Sequence, residues 1–313
     1  MPRPAPTFAD RARGALLGHA AGNTLGLPAQ ELGTAGAIAA AFPGGLRDVH
    51  RRDTPTSPWD DDVALAVILG EELLEPEVDL GRLAHRWARW ADTDGRGLGE
   101  WTRTALRHIA LHDSPPQETG GRATNGAVSR CLPVALATFD SPRNLVSGTF
   151  HTAWLTHPEP RAAWGAVAVN VAAACFLRDR PDFIPEVIEA LRNNDAPAEL
   201  LAAVRRVPLE RREDLAVEGP GAADAVRCVE IALWFARHEP DLERGLVWLA
   251  NAGGDTDTNA AVAGGLMGAR DGVGAIPARW IAALPDPDHL RRLADHLARV
   301  DQLHAETARA GAP

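Results

Sequence analysis

The chain has 313 residues, 45% of them hydrophobic, enough apolar material for one large core or two small ones. Its formal net charge of −10 comes from acidic and basic residues mixed along the chain, which argues against a nucleic-acid backbone binder with its basic stripe. Lys and Tyr are absent, so Schiff-base lysines, pyridoxal chemistry and tyrosine acid–base schemes are excluded, and all basic charge is Arg or His.

In chain order the dominant period is helical. Thr7 followed by Asp10 reads as a capping-box variant opening a helix that runs to about Asn23. After Pro58, the apolar positions Val63, Val67, Leu69, Leu73 and Leu74 keep helical spacing, and Leu80, Leu83, Ala84, Trp87 and Ala91 form a second stripe. Further helices are expected near 99–112, 126–138, 143–155, 160–177, 184–193, 197–206, 222–238, 242–251, 257–270 and 287–308. No run alternates long enough to demand a strand. The breaks at 112–121 and 207–221 are short and rich in Pro, Gly and Asp, so the fold class is all-α. We expect one domain over 1–313, with an ordered core of about 7–305 and a frayed tail beyond.

The longest apolar stretch, Ala162 to Leu177, is interrupted by Asn170 and falls short of the usual membrane span of about 20 residues. It reads as a buried central helix, and no membrane association is expected. His19 and Asn23 inside the first apolar patch favour an amphipathic helix over a signal peptide. Cys131, Cys175 and Cys228 lie far apart with no C-x-x-C pair, and read as idle thiols in a reducing cytoplasm. His19, on an apolar face, reads as a core histidine, and the nine tryptophans mostly as packing residues.

Two acidic clusters carry the chemistry. Ser57-Pro58-Trp59-Asp60-Asp61-Asp62-Val63 opens a helix, where unpaired backbone N–H groups and the helix dipole favour carboxylates. A structural cap needs one of these aspartates, and a bound dication would offset the repulsion among three. Asn251-Ala252-Gly253-Gly254-Asp255-Thr256-Asp257-Thr258 puts two glycines ahead of a helix, with Asp255, Asp257 and Thr258 aimed at one point. Such hard oxygen donors suit Mg²⁺, Mn²⁺ or Ca²⁺ rather than zinc. Each cluster alone stays open between capped helix start and metal site. Together they hold enough carboxylates for two cations.

Five segments carry a resemblance. GALLGHAAGNTLGLPAQ (Gly14 to Gln30), SPWDDDVALA, NGAVSRCLPVAL (Asn125 to Leu136), THPEPRA (Thr156 to Ala162) and NAGGDTDTNAAVAGGLMGA (Asn251 to Ala269) together resemble the ADP-ribosylglycohydrolase family. They occur in the family's order, from residue 14 to about 285, across nearly the whole chain. The resemblance implies an orthogonal bundle of about a dozen helices around a two-metal cleft, hydrolysing the bond between the anomeric carbon of ADP-ribose and an arginine, serine or related acceptor. It implies two divalent cations, Mg²⁺ first and Mn²⁺ as the alternative. Asp61 and Asp62 match the family's Thr-Asp-Asp-Thr segment, and Asp255, Asp257 and Thr258 its second metal segment. Asn125 and Gly126 match a substrate-contacting loop, Arg130 a position with either an ion-pair or a binding role, and His157 a position lining the cleft.

The departures fall in the site. The chain has Asp60-Asp61-Asp62-Val63 for Thr-Asp-Asp-Thr, Gly22-Asn23-Thr24-Leu25-Gly26 for Gly-Asp-Ala-Leu-Gly, and Gln30 where many relatives place an acid, with Glu31 beside it. One carboxylate is lost at Gln30 and one gained at Asp60, so a site charge able to balance two dications is kept. Gln30 can coordinate through its amide oxygen but cannot act as a general base.

The expected metal ligands are thus Asp60, Asp61, Asp62, Asp255, Asp257 and Thr258. The expected catalytic groups are Asp60, Asp61 and Glu31, and the substrate contacts Asn23, Gln30, Asn125, Gly126, His157, Gly253 and Gly254. The expected partner is an ADP-ribosylated protein or a small ADP-ribosyl or ribosyl conjugate. A riboside hydrolase on the same fold and a non-catalytic ADP-ribose binder are the alternatives.

Overall fold

The computed structural model describes residues 5–49, 58–117 and 122–300. Among them are sixteen α-helices and no strand; Thr34–Gly253 and Thr124–Asp224 are isolated backbone pairings. The first half of the chain folds as α1 (Phe8–Gly26), α2 (Ala35–Ala41), α3 (Asp61–Leu73), α4 (Leu80–Thr93), α5 (Glu100–His112), α6 (Gly126–Ser129), α7 (Leu132–Thr138) and α8 (Pro142–Trp154). The second half supplies α9 (Pro160–Leu177), α10 (Ile184–Asn193), α11 (Ala198–Arg206), α12 (Ala225–His238), α13 (Leu242–Asn251), α14 (Thr256–Asp271), α15 (Ala278–Ala283) and α16 (Pro287–Leu297).

The predicted capping box opens α1: the Thr7 hydroxyl accepts from the Asp10 N–H at 3.2 Å, and the Asp10 carboxylate accepts from the Thr7 N–H at 3.1 Å. Along α1, Gly14, Gly18, Gly22 and Gly26 recur every fourth residue and face α14. A Cβ at Gly14, Gly18 or Gly22 would lie 2.2, 2.3 or 2.0 Å from the carbonyl oxygens of Gly268, Gly264 and Ala260. Only glycine lets the two backbones touch in this way. The seam fixes the height of α1 against α14, and so the position of Asn23 against the start of α14.

The 160–177 stretch is the buried central helix expected, long and apolar enough to cross a membrane by composition but packed inside the fold. Its Asn170, fully buried, donates to the Cys131 carbonyl and the Thr149 hydroxyl, both at 2.8 Å, so the polar interruption ties α9 to α7 and α8. A second, smaller apolar cluster lies beneath α3, α4 and α5, built on Leu65, Leu69, Leu83, Trp87, Leu106 and Ile109. Trp87 is fully buried there and donates its indole N–H to the Leu65 carbonyl at 3.0 Å.

Three expectations need correction. The 126–138 helix is two helices. Pro133 has no N–H to give the Ser129 carbonyl, which His19 occupies at 2.7 Å instead, and the chain bends at Arg130 and Cys131. The helices α2 and α15 carried no readable stripe: AGAIAAA has one large apolar residue, Ile38, and α15 is six residues long. The last helix, expected over 287–308, is interrupted by a turn after Leu297, and residues 301–308 of it lie outside the described residues. Residues 301–305 of the expected core lie outside the described residues.

Candidate active site

Asp60 occupies the N-cap of α3, yet its side chain makes no capping hydrogen bond. It turns inward, where the Asn23 side-chain N–H₂ reaches both Asp60 Oδ2 and Asp62 Oδ2 at 3.3 Å. The start of α3 is gripped by the loop after α4. Arg96 donates to the Trp59 carbonyl at 2.9 Å and to Asp94 at 2.7 Å, and its own carbonyl accepts from the Asp61 N–H at 3.1 Å. Gly97, at φ +78°, lies so close that a Cβ there would fall 2.3 Å from Asp61 Oδ1. Nothing in the local sequence pairs Arg96 and Gly97 with residues 59–61, and only the tertiary contact reveals them.

Asp255 repeats the pattern at the N-cap of α14. It too makes no capping bond and instead accepts from the Asn125 side-chain N–H₂ at 2.8 Å. Gly253 and Gly254 hold positive φ (+81° and +69°), which lets the turn close on residues 33–35 and 217–218. The Gly254 N–H donates to the Gly33 carbonyl at 2.9 Å. Asp257 and Thr258 follow on the first turn, and the Thr258 hydroxyl donates to Asp62 Oδ2 at 3.1 Å. The N-termini of α3 and α14 thereby face one site. Their dipoles favour negative charge there.

Five aspartates meet at this place, and burial dominates the electrostatics of Asp60, Asp61, Asp62 and Asp257. Burial, then the Asp62 charge, pushes Asp60 up to about 8 against the opposing pull of Asn23 and Arg96. Asp62 is raised to about 6, by burial first, with hydrogen bonding from Ser129, Thr258 and Asn23 holding it back. Asp61 and Asp257 are both held well above the usual carboxylate range, by burial and by their acidic neighbours. Among the described residues, the buried oxygens Asp60 Oδ1 and Asp257 Oδ1 have no hydrogen-bond partner.

A carboxylate cluster under this much mutual repulsion needs protons or cations. Unpartnered oxygens together with a donor set made of carboxylate and hydroxyl oxygen fit hard divalent cations. Among the described residues no three or more His, Cys, Asp or Glu side chains are arranged, as they stand, so that they could hold one metal ion. The carboxylates instead stand at two helix starts, and the raised values of Asp60, Asp61, Asp62 and Asp257 mark the repulsion among them.

The remaining expected residues fall in three places. Gln30 lines a cavity of about 130 Å³ with Asn23, Asp60, Arg96 and Gly97, so the amide stands beside the extra carboxylate. Glu31 is exposed and does not line that cavity. His157 is fully buried with both ring nitrogens engaged, by Thr156 at 2.8 Å and Thr124 at 2.9 Å, and burial holds it well below the ordinary imidazole value. A Cβ on Gly126 would lie 3.0 Å from the Thr102 hydroxyl and 3.3 Å from His157 Cε1.

Arg130, 1% exposed, forms no salt bridge among the described residues, although its charge acts on Asp61 and Asp62 from a distance. It stacks 4.5 Å over Trp87 and donates to the Gly126 carbonyl and the Thr156 hydroxyl. His19 is the core histidine expected: burial takes it down to about 4. His151 lies on the surface, bonded to Ser147 of its own helix. The three cysteines are buried and unpaired, and burial raises all three thiols, Cys131 to about 12, which leaves no thiolate nucleophile.

A family model for ADP-ribosylglycohydrolase matches residues 4–307. The chain belongs to the ADP-ribosylglycohydrolase family. The ADP-ribosyl-[dinitrogen reductase] glycohydrolase of Rhodospirillum rubrum is 29% identical, over 89% of this chain and 92% of its own. The ADP-ribosylhydrolase ARH3 of Danio rerio is 29% identical, over 93% of this chain and 89% of its own. A solved structure described as an ADP-ribosylglycohydrolase-related protein complex superposes with a TM-score of 0.74 at 31% identity, covering 94% of this chain and 98% of that one. Membership in the ADP-ribosylglycohydrolase family thus spans both acidic clusters and the all-α frame that brings them together.

Proposed function

We propose that the protein hydrolyses the glycosidic bond between ADP-ribose and an acceptor side chain, using two divalent cations, Mg²⁺ or Mn²⁺, held by Asp60, Asp61, Asp62, Asp255, Asp257 and Thr258. The observation that carries this reading is the behaviour of Asp60 and Asp255. Both occupy N-cap positions, decline the capping bond, and turn into a common buried cluster. Relatives named for cleaving ADP-ribosyl linkages support the substrate class. The three free buried thiols suit a cytoplasmic setting.

When bound, the cations would supply positive charge to orient the ribose hydroxyls and acidify a water. The chain's own groups do the rest. Asn23 offsets part of the repulsion between Asp60 and Asp62 by giving both an N–H. Asn125 does the same for Asp255, and Thr258 for Asp62. We assign Asp60 the general-base role: with a bound cation holding it ionised, its carboxylate would take the proton of the attacking water as the anomeric carbon develops oxocarbenium character. Asp60 is preferred to Glu31 for this role because Glu31 is exposed, and to Gln30 because an amide takes no proton. Diphosphate binding falls to backbone N–H groups and Arg, since the chain has no Lys.

The test is release of ADP-ribose from ADP-ribosyl-arginine and ADP-ribosyl-serine peptides by purified protein supplied with Mg²⁺ or Mn²⁺. Release from either peptide supports the reading. Calorimetric cation binding without release from any conjugate would overturn it.

A further inference from the structure

The buried groups behind the 124–126 loop form a hydrogen-bond chain whose direction is fixed by one end. Arg130 can only donate. It gives a proton to the Thr156 hydroxyl, so that oxygen is an acceptor there. Thr156 is fully buried, and its own hydroxyl proton has one acceptor within reach, His157 Nδ1 at 2.8 Å. The opposite arrangement would leave a buried O–H without a partner, at a cost of about 1–3 kcal/mol. His157 Nδ1 is therefore the accepting nitrogen, and the ring proton sits on Nε2. That proton is donated to the Thr124 hydroxyl at 2.9 Å.

Thr124 ends the chain with a lone pair taken and a proton to give. Among the described residues no acceptor for that proton is recorded. Thr124 is only half-buried, and it immediately precedes Asn125, the residue that holds Asp255. Its backbone is fixed by the pairing with Asp224, so the hydroxyl is presented from a held position at the edge of the aspartate cluster.

We propose that Thr124 is a substrate-binding residue whose O–H is aimed at an acceptor oxygen of the ADP-ribosyl group by the positioning residues Arg130, Thr156 and His157. The substrate half of this inference rests on the proposed function; the polarity of the chain does not. His157 is then a relay and not itself a substrate ligand, which explains why a residue at the cleft is fully buried with both nitrogens occupied.

Two measurements test it. Nitrogen-15 NMR of the histidine rings in the full-length protein should show His157 neutral with its proton on Nε2; a proton on Nδ1 would overturn the relay. Calorimetry with free ADP-ribose and with ADP should show about tenfold weaker binding of ADP-ribose by Thr124→Val, restored by Thr124→Ser. Weakening with both ligands assigns the contact to a diphosphate oxygen, and with ADP-ribose alone to the terminal ribose. Wild-type affinity in Thr124→Val would overturn the binding role. If the wild-type protein bound neither ligand, the proposed function and the substrate half would fall together, and the tautomer would still decide the relay.

Discussion

The Thr258 hydroxyl donates to Asp62 Oδ2 at 3.1 Å, joining the first turn of α14 to the first turn of α3 across 196 positions of chain. This bond aligns the two acidic clusters and makes them one site. Thr258→Val keeps the shape and removes the donor. It should lower cation affinity about 10- to 100-fold, as loss of a ligand-orienting group does, with the helical circular dichroism unchanged. Titration with Mn²⁺ in a calorimeter checks this, and unchanged affinity would show that the threonine is idle.

Much of this was legible in the sequence, for reasons particular residues make clear. The Thr7–Asp10 box, the 160–177 core helix and the two acidic runs are local signals, and each appears where expected. What was not legible depends on contacts between distant segments. Gly97 reads as one more loop glycine until Asp61 is seen against it. Arg130 read as an ion-pair or a binding residue, but its partners are a carbonyl, a hydroxyl and an indole face. Asn23 read as a substrate contact; in the fold it is the donor that two aspartates share.

Metal-free protein should lose stability as pH rises. Asp60, Asp61, Asp62 and Asp257 all have folded values above the ordinary carboxylate range, with Asp60 near 8 and Asp62 near 6. At these four groups the folded state holds more protons than the unfolded chain between about pH 4 and pH 8. Buried His19 and His157, with lowered values, oppose this up to about pH 6.5, so the negative slope of unfolding free energy is clearest from there to about pH 8. Thermal melts in chelator should fall across this window, and added Mg²⁺ or Mn²⁺ should recover most at the high-pH end. A melting temperature that climbs with pH in chelator over that window would contradict the clustering.

Gly22→Ala should break the contact of α1 with α14. The added Cβ would lie 2.0 Å from the Ala260 carbonyl oxygen, a clash with backbone that no rotamer relieves. We expect a loss of about 2–3 kcal/mol in urea unfolding. Because Asn23 is the next residue, cation affinity should fall too. Wild-type stability would show that the helices can move apart freely.

Gly97→Ala probes the loop that grips the start of α3. Its Cβ would fall 2.3 Å from Asp61 Oδ1, and φ +78° is strained for any side chain. Turnover should drop at least roughly tenfold through displacement of Asp61, a shift comparable to other losses of positioning around a metal ligand. Initial rates on an ADP-ribosylated peptide at saturating Mg²⁺ read this out, and an unaltered rate would remove the loop from the site.

The most direct test is a single assay of ADP-ribose release from an ADP-ribosylated arginine peptide, run with Mg²⁺, with chelator, and with Asp257→Asn. Asp257 is 1% exposed, shares a side-chain hydrogen bond with Asp255, and carries an oxygen with no partner among the described residues. Release should require the cation and should fall by at least two orders of magnitude in Asp257→Asn, as removal of a ligand from a hydrolytic centre implies. Full release in chelator, or from Asp257→Asn, would contradict a cation site built on the five aspartates.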